Sequence, residues 1–177
     1  MKNMFVLLLL LIKLSYGQTY VSPLNDNGIY ITAKDFQSGI LTHAFNKSKH
    51  IKFVENKRLL IVVKDMDSSY LFYYDQIWGY RKDGVDWRLF NGSDYRVVRT
   101  KKICIYSTPV CVACLTTAPL NFSIDLTSPI HPLSKHNLKD AYHTNTAFVE
   151  KIKKLPWTTS IMKRDKHSGE YQFIKWL

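Results

Sequence analysis

The chain has 177 residues, 46% hydrophobic and 22% charged, with a formal charge of +11. That length supports one domain with a core of its own, and the composition excludes both wholesale disorder and a disulfide-stapled miniprotein. The basic excess favours anionic partners, but the charges are scattered, densest at Arg96–Lys102 and Lys151–Lys154, and there is no specific nucleic-acid motif.

Residues 1–17 read as a signal peptide. Lys2 supplies a positive n-region, Met4–Ile12 an apolar h-region, and Ser15 and Gly17 the small residues of a cleavage site, which places the cut between Gly17 and Gln18. The apolar run is too short for a transmembrane helix, and no Cys follows it to carry a lipid. The expected product is secreted or periplasmic, with no transmembrane segment after cleavage and in an oxidising space. Loss of Lys2 and Lys13 leaves a charge of about +9.

After a polar leader at 18–27, residues 28–177 read as a single α+β domain, with 28–126 mostly β, 133–168 mostly α, and 170–177 a terminal strand or docked tail. Ile29–Thr32 is the first strand candidate, Asp35–Gly39 a turn, and Ile40–Phe45 and Ile51–Val54 further strands. Leu59–Val63 is continuously apolar and β-branched, the pattern of a strand buried on both faces. Asp65–Ser69 turns the chain into Tyr70–Tyr74, where Tyr70, Phe72 and Tyr74 share one face and Leu71 and Tyr73 the other. Ile77–Tyr80 follows, with Gly79 marking a bulge. Asp83-Gly84 and Asn91-Gly92 are type I′ hairpin signals, because both dipeptides accept positive φ. They join Ile77–Tyr80 to Val85–Phe90 and Val85–Phe90 to Tyr95–Val98, and Ile103–Tyr106 is the next strand. The turn spacing predicts a curled antiparallel sheet, a sandwich or a partly open barrel.

Leu120–Leu126 is the last strand candidate, and Pro129 and Pro132 stop the sheet. Two or three short C-terminal helices follow. Ser134 caps the first, which carries Leu138, Ala141 and Tyr142 on one face. The second spans Thr146–Leu155, with Phe148, Ile152 and Leu155 inward. A third runs from Thr158 or Thr159 to about Lys166. The last residues alternate Tyr171, Phe173, Lys175 against Gln172, Ile174, Trp176.

The chain resembles a group of small secreted proteins of Bacteroidetes-type bacteria, of uncharacterised function. The likeness lies in the signal ending in Gly17-Gln18, the phrase from Gly28 to Gly39, the Ile77–Arg81 strand, and the aromatic strand at Arg88–Phe90. It continues in the Pro132–Tyr142 helix and the Asp165–Lys175 ending, and so spans nearly all of the mature chain. It implies an exported location and a β-then-α order, and supplies no catalytic residues. The cysteine cluster departs from the pattern.

Four constellations could carry chemistry. Cys104, Cys111 and Cys114 include a Cys-x-x-Cys, but the Val, Leu and Thr around it give no thiolate-stabilising helix N-terminus. A disulfide with one free thiol, or small buried residues, is the plainer reading. Zinc would need a fourth ligand such as His131. His136, Asp140 and His143 stand at i, i+4 and i+7 of the first helix and could hold a divalent metal, although that face is opposite the apolar one. Asp65–Ser69 fails as a calcium loop, because Tyr70 and Gln76 stand where Gly and Glu are needed. Last come the aromatics Tyr70, Tyr73, Tyr74, Trp78, Tyr80, Trp87, Phe90 and Tyr95, interleaved with Arg81, Arg88, Arg96 and Arg99. From these the candidate ligand-binding set is Tyr74, Trp78, Tyr80, Arg81, Trp87 and Arg88, a stacking and cationic surface. The alternative is an aromatic β core with polar tips.

Hydrolase signatures are missing: no nucleophile elbow, His-Glu-x-x-His motif or phosphate loop, and the few acids, such as Asp83 and Asp86, flank turns. The expectation is a non-enzymatic domain without a cofactor that binds an anionic or carbohydrate-like envelope component. The competing readings are a metal-dependent enzyme or metal-binding protein at His136/Asp140/His143 or the cysteines, and a purely structural envelope component.

Overall fold

The computed structural model describes residues 27–45, 51–54, 59–65, 68–109, 119–156 and 159–177. The expected signal peptide, most of the polar leader, Cys111 and Cys114 lie outside the described residues. Among the described residues no helix is long and apolar enough to cross a membrane.

The fold is α+β. Eleven strands run in chain order as β1 (Asn27–Tyr30), β2 (Thr42–Phe45), β3 (Ile51–Val54), β4 (Leu59–Asp65), β5 (Ser68–Tyr73), β6 (Gly79–Lys82), β7 (Val85–Phe90), β8 (Ser93–Arg99), β9 (Cys104–Ser107), β10 (Leu120–Ser123) and the two-residue β11 (His131–Pro132). Eight of them form an open antiparallel sheet in the order β11-β10-β9-β8-β7-β6-β1-β2, and β3-β4-β5 form a second sheet. The helices are α1 (Ala33–Ser38), α2 (Lys135–Ala141) and α3 (Thr146–Lys154), followed by a 3-10 helix at Gln172–Trp176.

Both hairpin signals work as read. Asp83-Gly84 has φ of 52° and 72°, and Asn91-Gly92 has 48° and 73°. Each makes a two-residue turn that matches the twist of its strands, and so fixes the pairs Lys82↔Val85 and Phe90↔Ser93. That register decides which side chains share a face. Ile29, Tyr80, Trp87, Ile105 and Phe122 lie on one face. Tyr30, Arg81, Asp86, Arg88, Tyr106 and Ser123 lie on the other.

The first face is covered twice. Over β1, β6 and β7, Tyr70, Phe72 and Tyr74 from β5 and the residue after it pack on Ile29, Ile77, Tyr80 and Leu89, while Leu71 and Tyr73 stay exposed. This is the predicted alternation. Over β9 and β10, Leu138 of α2, Phe148 and Ile152 of α3, and Tyr171, Phe173 and Ile174 pack on Ile103, Ile105 and Phe122. Ser134 caps α2 by accepting from the Asn137 amide at 3.1 Å, as expected, and Asn145 does the same for α3 through Phe148. The opposite face is covered more thinly. There Leu126 and Ile130, from the β10–β11 connection, and Phe36 of α1 close over Cys104 and Tyr106.

The structure departs from the sequence reading in five places. Asp35–Gly39 is the body of α1 rather than a turn. Thr32 and Asp35 form a reciprocal capping box, the Asp35 amide donating to Thr32 Oγ1 at 3.1 Å and the Thr32 amide to Asp35 Oδ2 at 2.9 Å. A helix of six residues is too short to show a periodic pattern. Gly79 makes no bulge: it pairs in register with Arg88, and a Cβ there would lie 2.1 Å from the Trp87 carbonyl oxygen. The glycine admits a close backbone approach. Pro132 does not stop the sheet but sits in its edge strand β11, opposite Asn121, where a missing N–H is tolerated. The third helix expected up to Lys166 is replaced by a turn and an isolated bridge, Arg164↔Tyr171. Asp165 Oδ1 accepts from the His167 and Ser168 amides at 3.1 and 2.9 Å, which competes with helix formation. Finally, residues 170–177 form neither a strand nor an extended tail: they dock as a 3-10 helix, which brings Tyr171, Ile174 and Leu177 into line every third residue. The burial of Leu59–Val63 on both faces cannot be read from its side chains, which lie outside the described set; β4 is the central strand of its sheet.

Candidate functional site

Arg88 is the centre of the thinly covered face. It is 3% exposed, and among the described residues it has no carboxylate partner. Its Nη1 donates to Tyr106 Oη at 2.8 Å and to Ser123 Oγ at 3.0 Å, and its Nη2 to the Ser128 carbonyl at 2.8 Å. The hydroxyl of Ser123 donates to the Asp125 carbonyl, so Tyr106 is the donor in the 2.9 Å Tyr106–Ser123 bond. A chain of neutral groups thus disperses the guanidinium charge. Burial pushes the Tyr106 hydroxyl up to about 12, against the lowering effect of Ser123 and Arg88. Burial likewise raises the neighbouring Cys104 thiol, so Cys104, a free buried cysteine, is held as an unreactive thiol.

Arg88 also lines a hollow of about 430 Å³ at the end of the sheet. Four pieces of chain converge there: Ile31–Ala33 leading into α1, Tyr74–Trp78 between β5 and β6, Phe90 and Asn91 at the β7–β8 hairpin, and Leu126 and Thr127. Trp78 forms a wall. Its Nε1 donates to the Leu126 carbonyl at 2.7 Å, its ring stacks on Phe36 at 4.3 Å, and the Arg88 guanidinium lies 5.9 Å from its centroid. With Phe36 stacked on it and Tyr30 and Arg88 beside it, the Trp78 ring is not a free stacking platform. Its polar lining comes from the exposed Asp75, Gln76, Asn91 and Thr127 and from the buried Arg88.

The six residues proposed from sequence as one ligand surface are divided by the sheet. Tyr74 and Tyr80 donate to Asp94 at 3.2 and 3.1 Å, and Trp87 stacks on Tyr80 at 6.1 Å, all on the doubly covered face. Burial, then the Asp94 charge, raises the Tyr80 hydroxyl far above its ordinary range. Arg81 is on the Arg88 side but is engaged elsewhere: it forms a bidentate pair with Asp86 at 2.7 and 3.2 Å, and Asp86 also accepts from Tyr30 at 2.8 Å. Arg99 is taken by Glu170 at 2.7 Å. Of the six, Tyr74, Trp78 and Arg88 reach the hollow.

The proposed metal set is only partly assembled. His136 Nε2 lies 3.0 Å from Asp140 Oδ2, but His143 falls beyond the end of α2 and its Nδ1 faces the Asp140 carbonyl oxygen at 2.9 Å. His131 is exposed and sits against Phe122. Among the described residues no three His, Cys, Asp or Glu side chains converge as metal ligands. The sequence reading missed Tyr106, Ser123, Asp75, Asn91 and Thr127. The alternation Cys104-x-Tyr106 could have placed Tyr106 on the Arg88 face, but the loop residues carry no periodic signal.

Comparison with family models, curated proteins and solved structures returns no match for this chain.

Proposed function

We propose that this is an exported, non-enzymatic binding domain whose hollow at Arg88 takes an acidic sugar. One observation carries the reading: a buried guanidinium with only neutral partners among the described residues, on a residue that lines an open hollow with polar groups around it. Buried charges are ordinarily paired. Nε and one hydrogen of Nη2 have no partner among the described residues. An arginine so placed suits a carboxylate, which it can bind through charge-assisted bonds. Asp75, Asn91 and Thr127 suit hydroxyls, and Trp78 and Phe90 add apolar lining for the apolar side of a pyranose ring. The basic charge, about +9 after loss of the signal peptide, adds favourable long-range attraction.

The test is calorimetric titration of the purified chain with galacturonate and with galactose. Galacturonate binds with Kd on the order of 1 mM, as expected for a small ligand in an open hollow. Galactose and Arg88→Met each weaken binding by about tenfold or more, the value of one charge-assisted bond. Equal binding of both sugars, or binding of neither, contradicts the proposal, and binding of neither favours a purely structural role.

A further inference from the structure

We infer that the Arg88 hollow is one of two subsites on a track for a chain of acidic sugars, the second being the adjoining hollow at Lys102; this rests on the reading of Arg88 given above. The second hollow has about 300 Å³ and is lined in part by Gln37, Thr100, Lys102 and Asp125. It shares Ala33, Leu126 and Thr127 with the first, so the two lie on either side of one rib. Each hollow is lined by one cation and one carboxylate: Arg88 and Asp75 in the first, Lys102 and Asp125 in the second. That repeat matches a ligand in which every unit carries both a carboxylate and hydroxyls.

Two features fit Lys102 and Asp125 to this role. Lys102 is exposed and holds φ of 61°, a left-handed conformation that Asn or Gly adopts more readily. It is fixed there just before the Ile103 amide donates to the Lys101 carbonyl at 2.7 Å. Lys102 is the cation among the residues lining the second hollow. Asp125 Oδ1 accepts from the Thr127 amide, the Thr127 hydroxyl and the Ser128 amide at 2.7, 2.8 and 2.7 Å. Those bonds hold the carboxylate in place and leave Oδ2 to accept from a sugar hydroxyl. A uronate chain crossing the rib would place one carboxylate at Arg88 and a later one at Lys102, so binding at the first site raises the effective concentration at the second.

The experiment measures the affinities of galacturonate, trigalacturonate and inorganic tripolyphosphate for the intact chain and for Lys102→Asn, which keeps the backbone conformation accessible. Trigalacturonate should bind about tenfold tighter than the monomer, and Lys102→Asn should reduce that gain to about twofold. Monomer binding with no gain for the trimer, or a gain unaffected by Lys102→Asn, overturns the second subsite and leaves the Arg88 reading standing. Tripolyphosphate binding as tightly as the trimer overturns the sugar chain in favour of charge alone. Failure of all three to bind overturns both.

Discussion

On one face of the eight-stranded sheet, Ile105 and Phe122 meet Leu138, Phe148 and Ile152 from the helices, all almost wholly buried. On the other, Arg88, Tyr106 and Ser123 are buried to the same degree but meet through hydrogen bonds, under a cover of one short helix and a loop. The first arrangement is what hydrophobic burial produces when it alone sets the packing. The second buries a charge whose partners among the described residues are all neutral, and that costs stability. Under the function proposed above, the helix-covered face supplies stability and the Arg88 face recognition.

The comparison can be broken by substitution. Phe148→Ala empties a fully buried site in the helical layer and should lower the unfolding free energy by about 3–5 kcal/mol in urea titration. A loss below about 1 kcal/mol would mean that the helices are not integral to the core. Asp86→Asn leaves the Arg81 guanidinium without its charge partner while keeping the shape of the site. Because Asp86 is partly exposed, the expected loss is about 2–3 kcal/mol, below that for a fully buried pair. A change under about 0.5 kcal/mol would show that the pair is solvated and adds nothing.

The smallest effect is in pH. Backbone and side-chain hydrogen bonds from Thr127, then Ser128, lower the Asp125 carboxyl from 3.8 to about 2. A carboxyl lowered on folding contributes stability that is present above its unfolded value and lost as pH falls through the folded one. The loss therefore falls between about pH 4 and pH 2. It is small, because the group is largely exposed and screened by solvent. Unfolding midpoints measured across that range should fall less steeply for Asp125→Asn than for the unchanged chain. Equal slopes would remove Asp125 from the set of positioned groups.

The architecture was legible wherever sequence carries a period or a forced turn. Two Gly-containing dipeptides with positive φ set the β6–β7–β8 register, and the alternation Tyr70, Phe72, Tyr74 named the packed side of β5. Ser134 announced α2. What failed were short segments governed by local hydrogen bonds: the six-residue α1 behind its capping box, and the Asp165 turn that displaced a helix. The candidate site was half legible. Arg88 and Trp78 stood out by residue type, but Arg88 alternates with Trp87 along β7, so neighbours in sequence point to opposite faces. Treating Tyr80, Arg81, Trp87 and Arg88 as one surface ignored that alternation. The rim residues come from loops, whose convergence only the fold determines.

The most direct test of the assignment of roles is thermal unfolding of Arg88→Met beside the unchanged chain, with and without galacturonate at about ten times its Kd. Tyr106 and Ser123 keep their own bond when the guanidinium is gone, so Arg88→Met should melt within about 4 °C of the unchanged chain when no sugar is present. Sugar should then stabilise the unchanged chain by about 1.4 kcal/mol and Arg88→Met by no more than about 0.4 kcal/mol. If Arg88→Met instead collapses as Phe148→Ala does, or gains as much from the sugar as the unchanged chain, Arg88 belongs to the core and the Arg88 face is not a binding face.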